Sequence, residues 1–215
     1  MDAIIENFPR FVDAFLMTLR LLIVSGISAL ILGTIVAAMR ISPVPALRVC
    51  ATVYTEIIRN TPLTLVLFFC AFVLPPLGVR LDYVTAATIG LTLYTSPFVA
   101  EAIRSGVNGV PVGQAEAARA VGFSFGQTLA LIVLPQAIRM VIPPLINVLI
   151  ALTKNTSVAA GFAVIELVAV SRQVIQLNGN ATITILLAVA VFYLVITVPL
   201  GQAANILERR VMVRR

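Results

Sequence analysis

The chain has 215 residues, of which 60% are hydrophobic and only 11% are charged. A water-soluble domain is about 45–50% apolar and about 25% charged, because it needs charge to cover its surface. This composition therefore excludes a soluble globule and predicts one membrane-embedded domain over residues 1–215. The formal net charge of +6 is expected on the cytoplasmic side of the membrane and does not imply that the chain binds nucleic acid.

The residue types that are scarce or missing exclude several kinds of catalytic and metal site. The chain has no histidine, which excludes histidine-based acid–base catalysis and histidine metal sites. Cys50 and Cys70 have neither the spacing of a metal site nor that of a redox motif. The single lysine, Lys154, follows Thr153, whereas a phosphate-binding P-loop requires G-K-S/T. We therefore expect no catalytic residue, no metal and no cofactor in this chain, and any ATP must be bound by another subunit.

Long stretches without charge predict five membrane-spanning helices. A helix needs about 20 apolar residues to cross the hydrocarbon layer, because each residue rises about 1.5 Å. Residues 120–138 carry no charge either, but glycines, polar residues and a proline interrupt them. Hydropathy alone does not decide whether these residues form a further span. The five predicted spans lie at about 11–39, 58–79, 83–104, 136–156 and 182–207.

The arginines predict the orientation. The C-terminus carries four arginines, so the positive-inside rule places it in the cytoplasm. Five spans then put the N-terminus outside, with Arg40 and Arg48 in an inner loop. We expect the N-terminal segment to remain in the membrane, because no short apolar stretch ends in a small-residue cleavage site. The four C-terminal arginines are Arg209, Arg210, Arg214 and Arg215.

The predicted inner loop at about 111–135 carries the most specific pattern in the chain. It reads E-A-A, three residues, G, nine residues, then I-x-L-P. Residues 115–121 are mostly good helix formers, and a glycine commonly ends a helix. We therefore expect a short helix with Glu116 near its N-terminus, where the helix dipole favours a carboxylate. The positions singled out in this loop are Gly113, Glu116, Ala117, Ala118, Gly122, Leu134 and Pro135.

This pattern resembles the signature loop of the permease subunits of bacterial ABC importers. The resemblance extends along nearly the whole chain, to polar amino-acid permeases of the histidine, glutamine and glutamate type. Within that group the likeness is greatest to actinobacterial glutamate permeases, through residues 59–66 and 151–156, although the outer loop at 75–82 is shorter than in some relatives. The segments that carry the wider resemblance are 54–63, 100–106, 134–139, 154–157 and 207–210.

The resemblance implies an all-α integral membrane protein, namely the transmembrane domain of a type I ABC importer in the bacterial cytoplasmic membrane. Such a permease is not an enzyme. It works with a dimer of ABC ATPase subunits that use ATP and Mg²⁺, with a second permease subunit that is identical or related, and with an external substrate-binding protein. The signature loop would be the coupling helix that docks on the ATPase. The substrate would be a polar amino acid, and the likeness to glutamate and glutamine permeases indicates glutamate or glutamine.

Two pairs of opposite charges lie near the inner ends of the second and third predicted spans, where ionisable groups are costly and commonly functional. Glu56 and Arg59 are three residues apart, as are Glu101 and Arg104, so each pair can meet on one helix face. The partners could also exchange, as Glu56–Arg104 or Glu101–Arg59. We expect these pairs to brace an inner gate, with direct contact to substrate as the alternative.

The fourth predicted span carries a polar stripe, because Arg139, Asn147 and Lys154 fall within about 80° of one another around a helix axis. Lys154 would lie about 22 Å beyond Arg139, where an ammonium must face a partner or a wet cavity. In one interpretation it attracts the carboxylates of an anionic amino acid in the substrate pathway. In the other it pairs with Glu166 or extends to the membrane surface and only holds the outer loops. The predicted pathway residues are Lys154, Asn155, Thr156, Ser157 and Asn147.

Two other classes of protein remain as alternatives. An ion-coupled secondary amino-acid transporter would be expected to contain an inverted internal repeat, and none is evident in the sequence. A membrane scaffold that transports nothing would leave the pattern at 111–135 unexplained. Co-purification with an ATPase distinguishes these classes from the importer.

Overall fold

The structure is a computed structural model that describes residues 2–212, with side chains described up to Arg209. Arg214 and Arg215 of the predicted basic C-terminus lie outside the described residues, as does the side chain of Arg210. The described residues form helices and no strand, which confirms the all-α prediction. The α-helices are α1 Asp2–Glu6, α2 Phe8–Ile41, α3 Pro45–Arg59, α4 Leu63–Phe68, α5 Tyr83–Asn108, α6 Val112–Ala120, α7 Phe125–Gln127, α8 Leu134–Asn155, α9 Leu167–Leu177 and α10 Thr182–Met212.

Shorter helical turns extend or link these helices. The π-helical segments Phe69–Val73 and Thr128–Val133 continue α4 and lead into α8, respectively. The 3-10 segment Thr156–Phe162 continues α8, and two further 3-10 turns occupy Pro75–Leu77 and Gly179–Ala181. As a result, several helices are longer than their α-helical parts alone.

Three helical stretches of the described residues are long and apolar enough to cross a membrane: Phe8–Ile41, Phe125–Phe162 and Gly179–Arg209. They contain the predicted spans at 11–39, 136–156 and 182–207. Because Phe125–Phe162 is one continuous helix, the chain does not turn back within it. Residues 120–138 therefore do not form a span of their own.

The second predicted span is broken. Helix Pro45–Arg59 and helix Leu63–Val73 are bent by 103° relative to each other, and by length and composition the two together make at most one further span. Pro62 explains the break, because it lacks a backbone N–H and disfavours the helical conformation in the residue before it. The break lies at the start of the predicted span 58–79, and the larger part of that span falls in the helix Leu63–Val73.

Helix α5, which contains the third predicted span, has 26 residues, enough to cross a membrane at about 1.5 Å per residue. Its threonines, serines and Pro97 dilute its apolar character, and it does not rank with the three most apolar stretches. The arrangement of five spans therefore stays a prediction.

Helix α5 packs against both α2 and α8. At Gly33 of α2, an added Cβ would lie 2.5 Å from the Cβ of Val99 and 2.6 Å from the backbone oxygen of Ser96. Gly106 of α5 is equally crowded by Val141 of α8. Small residues allow such close approach, which supplies much of the attraction between helices in lipid. Glycine at these two positions therefore sets the spacing of the central helices.

We predict that Gly33→Ala destabilises the protein by roughly 1–3 kcal/mol, the usual cost of overpacking, because Val99 and the backbone of Ser96 cannot move without separating α2 from α5. Gly161→Ala is the control, since an added Cβ there meets nothing within 4 Å. Thermal stability of the detergent-purified protein, followed by size exclusion after heating, provides the measurement. Equal stability of the two variants would contradict the close contact.

Candidate functional site

The loop with the most specific sequence pattern contains the short helix predicted for it. The helix begins at Val112, earlier than predicted, so Glu116 is its fifth residue and lies beyond the first turn, not near the N-terminus. Helix α6 spans Val112–Ala120, and the chain turns at Gly122, whose φ of 93° lies in the left-handed region that favours glycine. The N–H of Phe123 donates to the oxygen of Ala118 at 3.1 Å, and the N–H of Gly122 donates to Arg119 at 3.0 Å. This pair of hydrogen bonds is the Schellman motif, which satisfies the last carbonyls of a helix.

Helix α6 presents one side outward and packs with the other. Gly113, Glu116 and Ala117 are exposed, whereas Ala118 is buried. The helix packs against the segment Thr128–Val133, which belongs to the continuous helix Phe125–Phe162. Leu134 and Pro135, the last positions of the pattern, follow directly in that helix and are exposed. A force applied to α6 would therefore act on the base of the long helix.

A carboxylate shared by arginines joins three helices. Glu101 of α5 accepts a hydrogen bond of 2.6 Å from Nη1 of Arg40, the last arginine of α2. Arg104, one turn along α5, donates to the same carboxylate, with Nε at 3.3 Å from Oε2. Nη1 of Arg59, the last residue of α3, lies 3.8 Å from Oε2. The single negative charge of Glu101 thus holds together the ends of α2, α3 and α5.

The structure brings together two of the predicted pairs and separates two. Glu101–Arg104 and Glu101–Arg59 are formed, and the guanidinium of Arg59 also lies 5.6 Å above the ring of Phe98. Glu56 is exposed, and its carboxylate accepts only a 3.4 Å hydrogen bond from the Asn60 amide. No described arginine forms a salt bridge with Glu56, so the predicted pairs Glu56–Arg59 and Glu56–Arg104 are absent. Arg59 turns instead toward Glu101, where two other helices end.

A cavity of about 420 Å³ lies between α5 and α8. Two predicted pathway residues, Asn147 and Asn155, line it. Thr95 also lines it, and its buried hydroxyl oxygen has no hydrogen-bond partner among the described residues. Its lining contains amide and hydroxyl groups and no carboxylate. The lining residues are Tyr94, Thr95, Phe98, Asn147, Val148, Ala151, Leu152 and Asn155.

The other three predicted pathway residues do not line the cavity. Thr156 is buried and donates to the backbone oxygen of Thr153, and Ser157 donates to that of Lys154. Lys154 is exposed, and no described carboxylate forms a salt bridge with it. On an ideal helix it stands about 20° around the axis from Asn147, two turns further along α8, just outside the arc of residues that lines the cavity.

The alternative pairing of Lys154 with Glu166 is not formed. Glu166 is fully buried and accepts hydrogen bonds from the backbone N–H of Ala169 and the hydroxyl of Tyr193, both at 2.9 Å. Glu166 therefore does not neutralise the charge of Lys154.

Sequence patterns do not point to Arg40, Tyr94, Thr95 or Phe98 as site residues. The sequence patterns place Arg40 in an inner loop and give it no partner. The available signal is that Arg40 follows directly after the first apolar stretch, where its charge can meet charges at the ends of other spans. For the cavity, the available signal is the run of polar residues at 94–96 inside the otherwise apolar α5. Which helix such residues face depends on long-range packing that a single sequence does not contain.

The described residues form long apolar helices, and the short exposed helix α6 lies in the loop with the most specific sequence pattern. Residues 29–213 match the family described as the binding-protein-dependent transport system inner membrane component. The chain belongs to this family and is a multi-pass membrane protein, a permease subunit of an ABC amino-acid transporter.

Similar proteins carry consistent descriptions. The chain is 42% identical to the glutamate transport system permease protein GluC of Corynebacterium glutamicum, over 96% of each chain. It is 41% identical to the probable glutamine ABC transporter permease protein GlnM of Bacillus subtilis, over 98% of this chain and 97% of that one. A crystal structure of an amino acid ABC transporter with histidines superposes with a TM-score of 0.89 at 27% identity, over 96% of each chain.

We predict that Glu101→Gln lowers the stability of the protein by roughly 1–3 kcal/mol, the usual loss when charge-assisted hydrogen bonds are weakened, because three arginines lose their shared carboxylate. Glu56→Gln is the matched control and should change stability by no more than about 0.5 kcal/mol. Size exclusion after heating measures both variants. A loss of stability in Glu56→Gln as large as in Glu101→Gln would contradict the assignment of the cluster.

Proposed function

We propose that this permease imports glutamate or glutamine, driven by ATP that separate subunits hydrolyse. The observation that carries the proposal is the cavity between α5 and α8, which offers amides and a hydroxyl and has no carboxylate in its lining. The proposal adds that the exposed ammonium of Lys154, one residue before Asn155 on α8, lies beside this cavity. Such groups suit a small polar molecule that is neutral or negative and repel none of its carboxylates. The similarity to GluC, described as a glutamate permease, and to GlnM, described as a probable glutamine permease, supports the same substrate class.

The partners follow from the same proposal. A dimer of ATPase subunits binds ATP and Mg²⁺ and closes against α6, and an external substrate-binding protein delivers the amino acid. A second permease subunit, identical or related, completes the pathway. In this arrangement the chain has five spans, with the N-terminus outside and the C-terminus in the cytoplasm of a bacterial cell.

The position of α6 supports its role as the coupling helix. Glu116 and Gly113 are exposed and open to a partner, whereas α6 rests on the base of the helix Phe125–Phe162. Motion of the ATPase would therefore tilt or shift the helix that also carries Asn147 and Asn155. The cluster around Glu101 lies at the ends of α2 and α3 and near the end of α5, where it would brace the inner gate as a fixed point.

An ion-coupled secondary transporter is not favoured. Such a protein needs no docking surface for an ATPase, and an exposed helix with this sequence pattern would have no use in it. The family match over residues 29–213 argues in the same direction.

Substitution in the coupling loop tests the partnership with the ATPase. Gly122→Val forces a branched side chain into a left-handed conformation, which costs roughly 1–3 kcal/mol, and should displace α6 and reduce co-purification of the ATPase. Glu116→Lys should reduce it through charge reversal on the exposed face. Gln114→Ala, also exposed on α6, is the control. Full recovery of the ATPase with both altered chains would refute the proposed coupling helix.

Substitution of Lys154 tests the substrate pathway. Lys154→Gln removes the positive charge beside the cavity and should raise the KM for glutamate by about tenfold, as expected for loss of a charge-assisted hydrogen bond, with a smaller effect on glutamine. Lys154→Arg keeps the charge and should stay close to the unaltered protein. Uptake by proteoliposomes containing the assembled complex gives both KM values.

Assembly and ATP hydrolysis should be unchanged in both lysine variants, because Lys154 lies far along the helix from α6. An unchanged KM for glutamate in Lys154→Gln would rule out the role in the pathway. A similar rise for glutamate and glutamine would point to a change of cavity shape and not to loss of charge recognition.

A further inference from the structure

The most deeply buried ionisable side chain of the described residues has no part in the function discussed so far. Glu166 has no exposed surface, although an ionised carboxylate is expensive to remove from water. It lies immediately before α9, in the segment that connects α8 to α10. Ala163, three residues earlier, has a φ of 59°, a left-handed conformation that is uncommon outside glycine. The chain therefore makes a forced turn to bring Glu166 inward.

Glu166 lies deep in the bundle. Its Oε2 accepts from the hydroxyl of Tyr193 at 2.9 Å, and the neighbouring N–H of Leu167 donates to Oγ1 of Thr18 at 3.4 Å. Tyr193 lies about three turns after the start of α10, and Thr18 lies about three turns after the start of α2. At 1.5 Å per residue, each is about 15 Å along its helix. This is about half the thickness of the hydrocarbon layer. The segment 163–181, which follows the helix Phe125–Phe162, therefore dips into the bundle and returns.

The carboxylate is held by neutral groups. The backbone N–H of Ala169 in the first turn of α9 donates to Oε1 at 2.9 Å, where the helix dipole also favours a negative charge. Tyr193 donates to the other oxygen, and no described lysine or arginine forms a salt bridge with Glu166. Because few donors satisfy this carboxyl group, the loss of any one leaves a buried oxygen without a partner, which is more costly than losing an exposed hydrogen bond.

The same segment supports the wall of the cavity. Val164, two residues before Glu166, and Ala159 of the 3-10 segment belong to one buried cluster with Leu21 and Leu152. Leu152 also lines the cavity between α5 and α8. Displacement of Glu166 would pull Val164 away from this cluster and leave the outer part of α8, which lines the cavity, without support from behind.

Leu167, Val170 and Val174 of α9 pack in a buried apolar cluster with α2 and α10. We propose that Glu166, through its bond to Tyr193, is a positioning residue that, with this cluster, keeps the segment 163–181 seated in the bundle and so fixes the outer wall of the substrate cavity. The seating of the segment follows from contacts within this chain, whereas its effect on substrate rests on the proposed function. Glu166 touches no substrate in this proposal. It acts through Val164 and Leu152.

A buried thiol can report whether the segment is seated. Ser171 of α9 is buried and close to cysteine in size, so Ser171→Cys places the reporter. Cys50, which is exposed, is replaced by serine, and Cys70, which is buried, is kept and measured as background in the chain that retains Ser171. Labelling of proteoliposomes by a membrane-impermeant maleimide gives the rate at which the segment opens, and Gln176→Cys on the exposed side of α9 gives the rate for an open site.

Tyr193→Phe removes one donor and should accelerate labelling at position 171 by about tenfold or more, the factor expected for a hydrogen bond to a buried charged group. Tyr83→Phe is the matched control, because the hydroxyl of Tyr83 makes no hydrogen bond within the described residues, and should label at the original slow rate. Glu166→Gln keeps an oxygen for the N–H of Ala169 and should fall between these limits. Glu166→Ala should label fastest.

Transport measurements distinguish a positioning role of Glu166 and Tyr193 from a general loss of folding. In the assembled complex, Tyr193→Phe should raise the substrate KM several-fold and leave co-purification of the ATPase intact. Equal labelling rates in Tyr193→Phe and Tyr83→Phe would overturn the proposal. So would labelling at position 171 as fast as at position 176 in chains that are otherwise unaltered. Faster labelling with an unchanged KM would overturn the link to the cavity. Because labelling requires neither substrate nor ATPase, failure of the proposed import function would leave that result readable.

Discussion

Lipid offers a carboxylate neither a counter-ion nor a hydrogen bond, so each acidic group that this chain carries inside its bundle must be satisfied by the protein itself. Glu101 meets the constraint with arginines from three helices. Glu166 meets it with a backbone N–H and a tyrosine hydroxyl. In both cases one partner is three residues away and the others are distant in sequence, namely Arg40 and Arg59 for Glu101 and Tyr193 for Glu166. The need to satisfy one carboxylate therefore helps to fix how separate helices are arranged.

The features that can be predicted well from the sequence are those with local causes. The coupling-type helix depends on a run of helix formers and on a glycine at position 122, and both are evident without knowing any neighbour. The long apolar helices follow from composition in the same way. The break after Arg59 is signalled by Pro62, although the absence of charge from residues 60–79 does not by itself reveal it.

The site is harder to predict, because its residues meet across the bundle. Spacing predicts that Glu56 joins Arg59, yet Arg59 meets a carboxylate on another helix and a phenylalanine ring. Asn147 and Asn155 are predictable because they share a helix with Lys154, whereas Thr95 requires knowledge of how α5 faces α8. In the folded chain, α6 and the cavity are connected by a single helix. The helix Phe125–Phe162 contacts α6 and also carries one wall of the cavity, so no other element lies between α6 and that wall.

The seam between α5 and α8 is uneven along its length. Gly106 and Val141 touch at one end with no space to spare, whereas the cavity opens the seam near Thr95, about 16 Å away along the helix. Beyond the cavity, Leu91 of α5 and Leu152 of α8 belong to one buried cluster, so the two helices are packed on both sides of the opening. The cavity is therefore a gap between two packed stretches of one seam, and its width is set by how closely those stretches draw the helices together.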